Sequence, residues 1–322
     1  MNYLKLAEEI CNGTKQIDKK QCLAILESEA DWIEIFSAAA YIRQYFKQNR
    51  MHLNILLNAK SGICREDCGY CAQSSSNQAD TEIYGLLPEA VIFKKALIAN
   101  KNHASTFCIA TSGTRPNQKE LKHLGNIVKK IKSQLKLEIC LSLGTVTPAQ
   151  IAYLKDCGVD RINHNLNTPE ANYQRITTTH SYQDRKQTLA YLKNQGVNSC
   201  SGFICGLGET NQELVELAFD LKNQQPFSVP VNFLIPIKGT KLEEQWTLNP
   251  LKCLKILMMM RFIFPNTELR ASAGRERHLK AIQPLAFLIV DSIFLGNYLT
   301  AEGAPESQDI ELLKMLALDY VK

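Results

Sequence analysis

The chain has 322 residues, 45% of them hydrophobic and 21% charged, with a formal net charge of +5. That composition fills a large apolar core and excludes a disordered or fibrous chain, while the length fits one large α/β barrel or two average domains. Basic residues are dispersed, as at Lys129, Lys130 and Lys132, and no basic stripe interleaved with aromatics points to nucleic acid.

The opening residues, "MNYLKLAEEI", carry acidic groups and no apolar stretch of signal-peptide length. The longest apolar run near the end, Leu285 to Val290, is too short to span a bilayer. A cytoplasmic protein without membrane contact is therefore expected. Eleven cysteines in a reducing compartment point to metal or cluster ligation rather than disulfides. Five of them (Cys11, Cys22, Cys157, Cys205 and Cys253) lie in apolar settings and read as small core residues.

Two helices, "KKQCLAILES" and "DWIEIFSAAAYIRQYFKQ", precede the first strand and form an N-terminal helical extension over residues 1–52. Eight β-rich runs then follow, at Leu53–Ala59, Ser105–Thr111, Leu137–Leu143, Arg161–Asn167, Ser199–Gly206, Val229–Ile235, Glu268–Gly274 and Ser292–Gly296. Most gaps hold a helical pattern. "PEAVIFKKALIANK" begins with a proline suited to a first turn and buries Val91, Ala96 and Leu97. "SYQDRKQTLAYLKNQG" runs from a serine cap to a glycine stop at Gly196. The alternation predicts an α/β fold, a (β/α)8 TIM-type barrel over 53–322 with a C-terminal helical tail. Leu53 to Asn297 spans 245 residues, close to the ~250 typical of that fold. A doubly wound open sheet is the competing architecture.

Side chains alternate across a strand. "LEICLSL" puts Glu138, Cys140 and Ser142 on one face and leucine and isoleucine on the other; "INHNLN" separates Asn163, Asn165 and Asn167 from Ile162, His164 and Leu166. Cys200, Gly202, Ile204 and Gly206 share a face, as do Arg270 and Ser272. Ordinary barrels fill their interior with bulky branched residues. Here one face of several strands is small, polar or thiol-bearing, so the interior is expected to be a chemical chamber.

"CREDCGYC", Cys64 to Cys71, follows the first strand and so lies at the C-terminal mouth, where barrel enzymes keep their active sites. A structural zinc site normally takes four protein ligands, and the next Cys or His after this loop is His103. Three thiolates on a four-iron cubane leave one iron open for another ligand. An incidental thiol-rich or zinc-binding loop is the alternative. None of the six histidines falls in a nucleophile or zinc-ligand pattern, and His164 reads as structural.

Cys-x3-Cys-x2-Cys after strand one resembles the radical S-adenosylmethionine (SAM) superfamily. The resemblance implies a [4Fe–4S] cluster on Cys64, Cys68 and Cys71, with SAM on the open iron and its reductive cleavage to a 5′-deoxyadenosyl radical. The span from "LNILLNAKSGICREDCGYCAQ" to "SIFLGNYLT" is similar, in length and order, to the biotin synthase family. That resemblance implies a [2Fe–2S] cluster on Cys108, Cys140, Cys200 and Arg270. It implies SAM contacts at Tyr70, Asn167, Gly202, Ile204, Gly206 and Glu209, and dethiobiotin contacts at Asn165, Asn232 and Thr300. Asn163 is expected to be a satisfied buried amide. The implied reaction inserts sulfur from the [2Fe–2S] cluster into dethiobiotin at C6 and C9, consuming two SAM molecules, with no side chain as acid or base. A flavodoxin- or ferredoxin-type electron donor and a homodimer are implied partners. Two departures stand out: Asn167 where many relatives have Asp, and Thr300-Ala301 where some have paired threonines. The alternatives are another radical SAM enzyme, hydrogenase-maturase-like or methylornithine-synthase-like, and a non-catalytic iron–sulfur carrier.

Overall fold

The computed structural model describes residues 1–321. Its strands are β1 (Arg50–Lys60), β2 (Thr106–Thr111), β3 (Glu138–Ser142), β4 (Arg161–Asn163), β5 (Asn198–Cys200), β6 (Phe203–Cys205), β7 (Ser228–Phe233), β8 (Glu268–Ala271), β9 (Ser292–Leu295) and β10 (Asp319–Val321). All pairings are parallel, β1 to β9 follow one another around the ring, and β9 returns to β1. β5 and β6 both pair with β7 and act as one stave, so eight staves close the barrel. This is the (β/α)8 architecture expected from the alternation.

Helix starts follow from local chemistry. Asn117, Ser181 and Thr210 each cap a helix N-terminus, and Glu120, Asp184 and Glu213 three residues on return the bond; each cap is worth about 1 kcal/mol. The proline-led helix Glu89–Lys101 differs from expectation in its buried face. Ile92, Ala96 and Ala99 face the core, whereas Val91 and Leu97 are 40% and 45% exposed. Spacings of four and three residues keep the first trio on one stripe, which a longer apolar run obscures in the sequence.

The N-terminal segment holds three helices rather than two: α1 (Tyr3–Cys11), α2 (Lys19–Glu27) and α3 (Trp32–Lys47). A further strand absent from expectation, β10, pairs with the first residues of β1. Arg43 of α3 ties that end to the barrel, donating to the carbonyls of Val290, Gln48 and Arg50 at 2.8, 2.6 and 2.8 Å. Cys11, Cys22, Cys157, Cys205 and Cys253 all pack in the outer apolar layer, as read from their settings.

Strand parity holds within the regular strands; past the end of β4 at Asn163 it lapses, and His164, read onto the outer face, lines the cavity. Ile139, Leu141, Ile162, Phe203, Leu269 and Ala271 join the layer between strands and helices, whereas Cys108, Cys140 and Cys200 form a separate interior cluster with Phe294 and Tyr298. Gly202 lies where the stave crosses close to β7, and a Cβ there would sit 1.8 Å from the Pro230 carbonyl oxygen. Gly202→Ala is expected to destabilise by about 3 kcal/mol or more through overpacking against backbone. Gly85→Ala, with nothing within 4 Å, should stay within about 0.5 kcal/mol. Denaturant midpoints at constant m-value compare the two.

Candidate active site

The loop after β1 is folded on its own backbone. Cys64 N donates to Gln73 O at 2.9 Å and Ser75 N to Cys64 O at 2.8 Å. Asn77 Nδ2 donates to the carbonyls of Cys68 and Cys71 at 3.1 and 2.8 Å. These bonds present Cys64, Cys68 and Cys71 to one cavity. The intervening acids latch onto residues 177–180. Asp67 Oδ1 accepts from Thr177 Oγ1 at 2.6 Å and from Thr178 N at 2.8 Å. Partial burial pushes the Asp67 carboxyl up, but the bonds from Thr177 and Thr178 hold it well below the usual range.

Glu66 Oε2 lies 2.8 Å from His180 Nδ1, and Arg185 Nη2 lies 3.0 Å from His180 Nε2. A guanidinium only donates, so Nε2 is the acceptor and Nδ1–H donates to Glu66. Burial, then the Arg185 charge, lowers the His180 pKa, in keeping with a neutral ring.

The cavity measures about 740 Å³ and opens at the C-terminal mouth of the barrel. Tyr70, Asn165, Asn167, Ile204, Asn232 and Thr300 line it, as expected from the sequence, and Asn163, His164 and Ala301 line it as well. His164 Nδ1 donates to Gly144 O at 3.0 Å, and burial holds the ring well below its usual pKa. Gly202, Gly206 and Glu209 are not among the lining residues. Glu209 instead closes its own turn, accepting from Gly206 N at 2.7 Å and Leu207 N at 2.8 Å. Asn163 is satisfied by Asn165 Oδ1, Cys200 O and Ser142 Oγ.

Asn165 Oδ1 accepts from Gly202 N at 3.0 Å, and no hydrogen bond among the described residues takes its Nδ2. Asn232 spans two staves, donating to Phe203 O at 3.0 Å and accepting from Ala273 N at 3.2 Å. Asn167 takes a left-handed backbone, φ 70°, which asparagine tolerates better than most residues. With its amide oxygen inward, it accepts from Tyr70 OH at 2.9 Å and from Arg185 Nε and Nη2 at 3.2 Å.

Arg185 is the residue that sequence reading missed. Its Nε also donates to Tyr173 OH at 2.7 Å and its Nη1 to Asn165 O at 3.2 Å. Several arginines have carboxylates: Arg261 has Asp291, Arg275 has Asp309, and Arg161 has Glu138 and Glu268, while Arg43 is satisfied by three backbone carbonyls. Among the described residues no carboxylate pairs with Arg185. Half-buried and lining the cavity, its guanidinium offers a cationic partner to an anion bound there. The available signal was positional: the helix Tyr182–Asn194 follows β4, so its first turn stands at the catalytic mouth.

Beneath the cavity lie the interior thiols. Cys108 and Cys140 are register partners on β2 and β3, and Cys140 packs with Cys108 and Cys200 in one interior cluster. Arg270 Nη1 donates to Cys200 Sγ at 3.7 Å. Burial alone would lower the Arg270 pKa, but the Glu268 carboxylate and the thiols keep it charged. Glu268 is pushed up by burial and pulled back down, to about 2, by Arg270 and Arg161.

Both thiol sets fit iron–sulfur clusters by donor type. Burial raises Cys68 and pushes Cys71 up to about 11, so these thiols ionise only with a cation to bind them. Among the described residues no three His, Cys, Asp or Glu side chains close around a single ion; in a cubane each thiolate takes its own iron.

The barrel and its three-thiol mouth define the chain's class. Residues 59–221 match the Radical SAM superfamily, and residues 230–319 match the Biotin and Thiamin Synthesis associated domain. The chain is 50% identical over 321 residues to the biotin synthase of Streptococcus agalactiae, covering 100% of this chain and 97% of that protein. It is 42% identical to the biotin synthase of Bacillus cytotoxicus, covering 99% and 96%. The chain belongs to the biotin synthase family. Among solved structures, methylornithine synthase superposes with a TM-score of 0.85 at 19% identity, over 98% of this chain and 97% of that one. The FeFe-hydrogenase maturase of Carboxydothermus hydrogenoformans gives 0.82 at 17%, over 99% and 79%. At these identities the two share the fold.

Proposed function

We propose a division of labour for the biotin synthase reaction, the SAM-dependent insertion of sulfur into dethiobiotin at C6 and C9. One observation carries it. A single closed barrel holds three thiols at its mouth and three thiols with an arginine at its floor, and a 740 Å³ cavity lies above that floor.

Cys64, Cys68 and Cys71 hold the [4Fe–4S] cluster, and Cys108, Cys140, Cys200 and Arg270 hold the [2Fe–2S] cluster. When bound, these groups and SAM supply the hydrogen abstraction and the sulfur that side-chain acid–base chemistry cannot provide at nonacidic carbons. The chain binds, orients and excludes water. Arg185, beside Tyr70 and Cys68, pairs with the SAM carboxylate, and Asn167 fixes both Arg185 and Tyr70 at its side. Ile204 offers an apolar contact to the nucleoside, while Gly202, Gly206 and Glu209 shape the strand end behind it. Asn165 presents Nδ2 as a donor to the ureido carbonyl. Asn232, committed to backbone on both sides, sets the shape of that pocket, and Thr300 faces the carboxylate tail. His164 is held neutral and takes no proton.

Among the described residues no helix is long and apolar enough to cross a membrane. The reading places the protein in the cytoplasm, reduced by a flavodoxin- or ferredoxin-type protein and paired with a second copy. It treats the three helices before β1 as an extension outside the barrel, which ends in a C-terminal helical tail.

Anaerobic reconstitution with iron and sulfide, followed by dithionite, SAM and dethiobiotin, should yield biotin. 5′-Deoxyadenosine without biotin would point to a different radical SAM enzyme, and neither product from fully clustered protein would leave a carrier. Arg185→Met should raise KM for SAM about tenfold or more, the scale of a lost charge-assisted bond, without changing iron content. An unchanged KM would remove Arg185 from the SAM site.

A further inference from the structure

Arg270 reaches the three floor thiols with one nitrogen only. Its Nε donates to Ser292 Oγ at 3.1 Å and its Nη2 to Glu268 Oε1 at 2.6 Å. Nη1 is the remaining nitrogen, and it faces Cys200 Sγ at 3.7 Å. The Ser292 hydroxyl donates to the same Glu268 oxygen at 2.8 Å. The other oxygen, Oε2, accepts from Arg161 Nη1 at 2.7 Å, and Arg161 Nη2 is taken by Glu138. Glu268 is thus anchored on its far side by one guanidinium while it orients another.

A guanidinium is a planar fork of five N–H donors. Left to itself on a flexible stem, it could turn a different edge to the thiols. With Nε and Nη2 both committed, rotation within the plane is blocked. The Phe294 ring, 5.1 Å from Arg270 Cζ to its centroid, packs nearby. Glu268 and Arg270 lie two apart on β8 and so share the interior face.

We propose that Glu268 is a positioning residue of the floor site: it selects which nitrogen of Arg270 meets the [2Fe–2S] cluster and holds it there. The proposal rests on the assignment of that cluster to Cys108, Cys140, Cys200 and Arg270. Removing a residue that holds a metal ligand in place by a hydrogen bond typically changes metal affinity by about 10- to 100-fold. Glu138 supplies the control, because it touches Arg161 and has no bond to Arg270.

The test uses the full chain carrying both clusters. Glu268→Gln should keep the four-iron content, shift the two-iron bands in visible circular dichroism, and speed two-iron loss under anaerobic reductant by about tenfold. Glu268→Asp, which keeps the charge with a shorter reach, should fall between. Glu138→Gln should match the wild type in both readouts. Wild-type bands and loss rate in Glu268→Gln overturn the proposal, as does an equal effect of Glu138→Gln, which would make the network merely structural. If Glu268→Gln does not fold, Ser292→Ala, which removes the hydroxyl joining Arg270 Nε to Glu268, should move the same bands, and unchanged bands overturn the proposal. A wild-type protein with a four-iron signal and no two-iron signal refutes the cluster assignment, and the proposal with it.

Discussion

Cys68→Ala is expected to bring biotin and 5′-deoxyadenosine formation to the detection limit together. Cys68 is the most buried thiol of the mouth loop, and its sulfur lies 4.0 Å from Thr177 Oγ1, against the latch that anchors the loop. A thiol lost there removes one of three proposed iron ligands and leaves no neighbour to replace it. The four-iron absorbance should vanish while the two-iron absorbance persists. A Cys68→Ala protein that still cleaves SAM would end the assignment of that loop.

The second large effect belongs to the floor. Cys140 on β3 packs with Cys108 on β2 and Cys200 on β5, so Cys140→Ala leaves two donors on separated strands. Biotin should fall to the detection limit, the two-iron absorbance should disappear, and 5′-deoxyadenosine should still form from an intact four-iron centre. Loss of both iron signals together would contradict two separate sites. The paired variants therefore give opposite spectra and the same missing product, which a general folding defect cannot imitate.

Much of this was legible from alternation alone. Cys140 sits between Ile139 and Leu141, and a period of two sends the thiol inward once those neighbours face helices. The same logic placed Asn163, Asn165 and Asn167 on the cavity, even though the regular part of β4 ends at Asn163. What was hidden depended on contacts far apart in sequence. Arg185 drew no reading from the sequence, because nothing local says that it bonds to Tyr173, His180 and Asn167. Gly202 and Glu209, given SAM contacts by resemblance, show local roles: one avoids the Pro230 carbonyl, the other staples its own turn. Val91 and Leu97 misled because hydrophobicity marked the helix without marking its inner stripe.

The bonds from Asp67 and Glu66 to residues 177–180 have a mechanical consequence. They fuse the lips following β1 and β4 into one stiff jamb, so neither can swing without breaking several hydrogen bonds at once. Across the entrance, Leu299 is exposed, and its carbonyl is held by Asn58 Nδ2 at 3.2 Å. The three-thiol side of the entrance thus rests on bonds between two loops, and the 298–301 side on the Asn58 bond to Leu299 and the Tyr298 hydroxyl's bonds to Glu276.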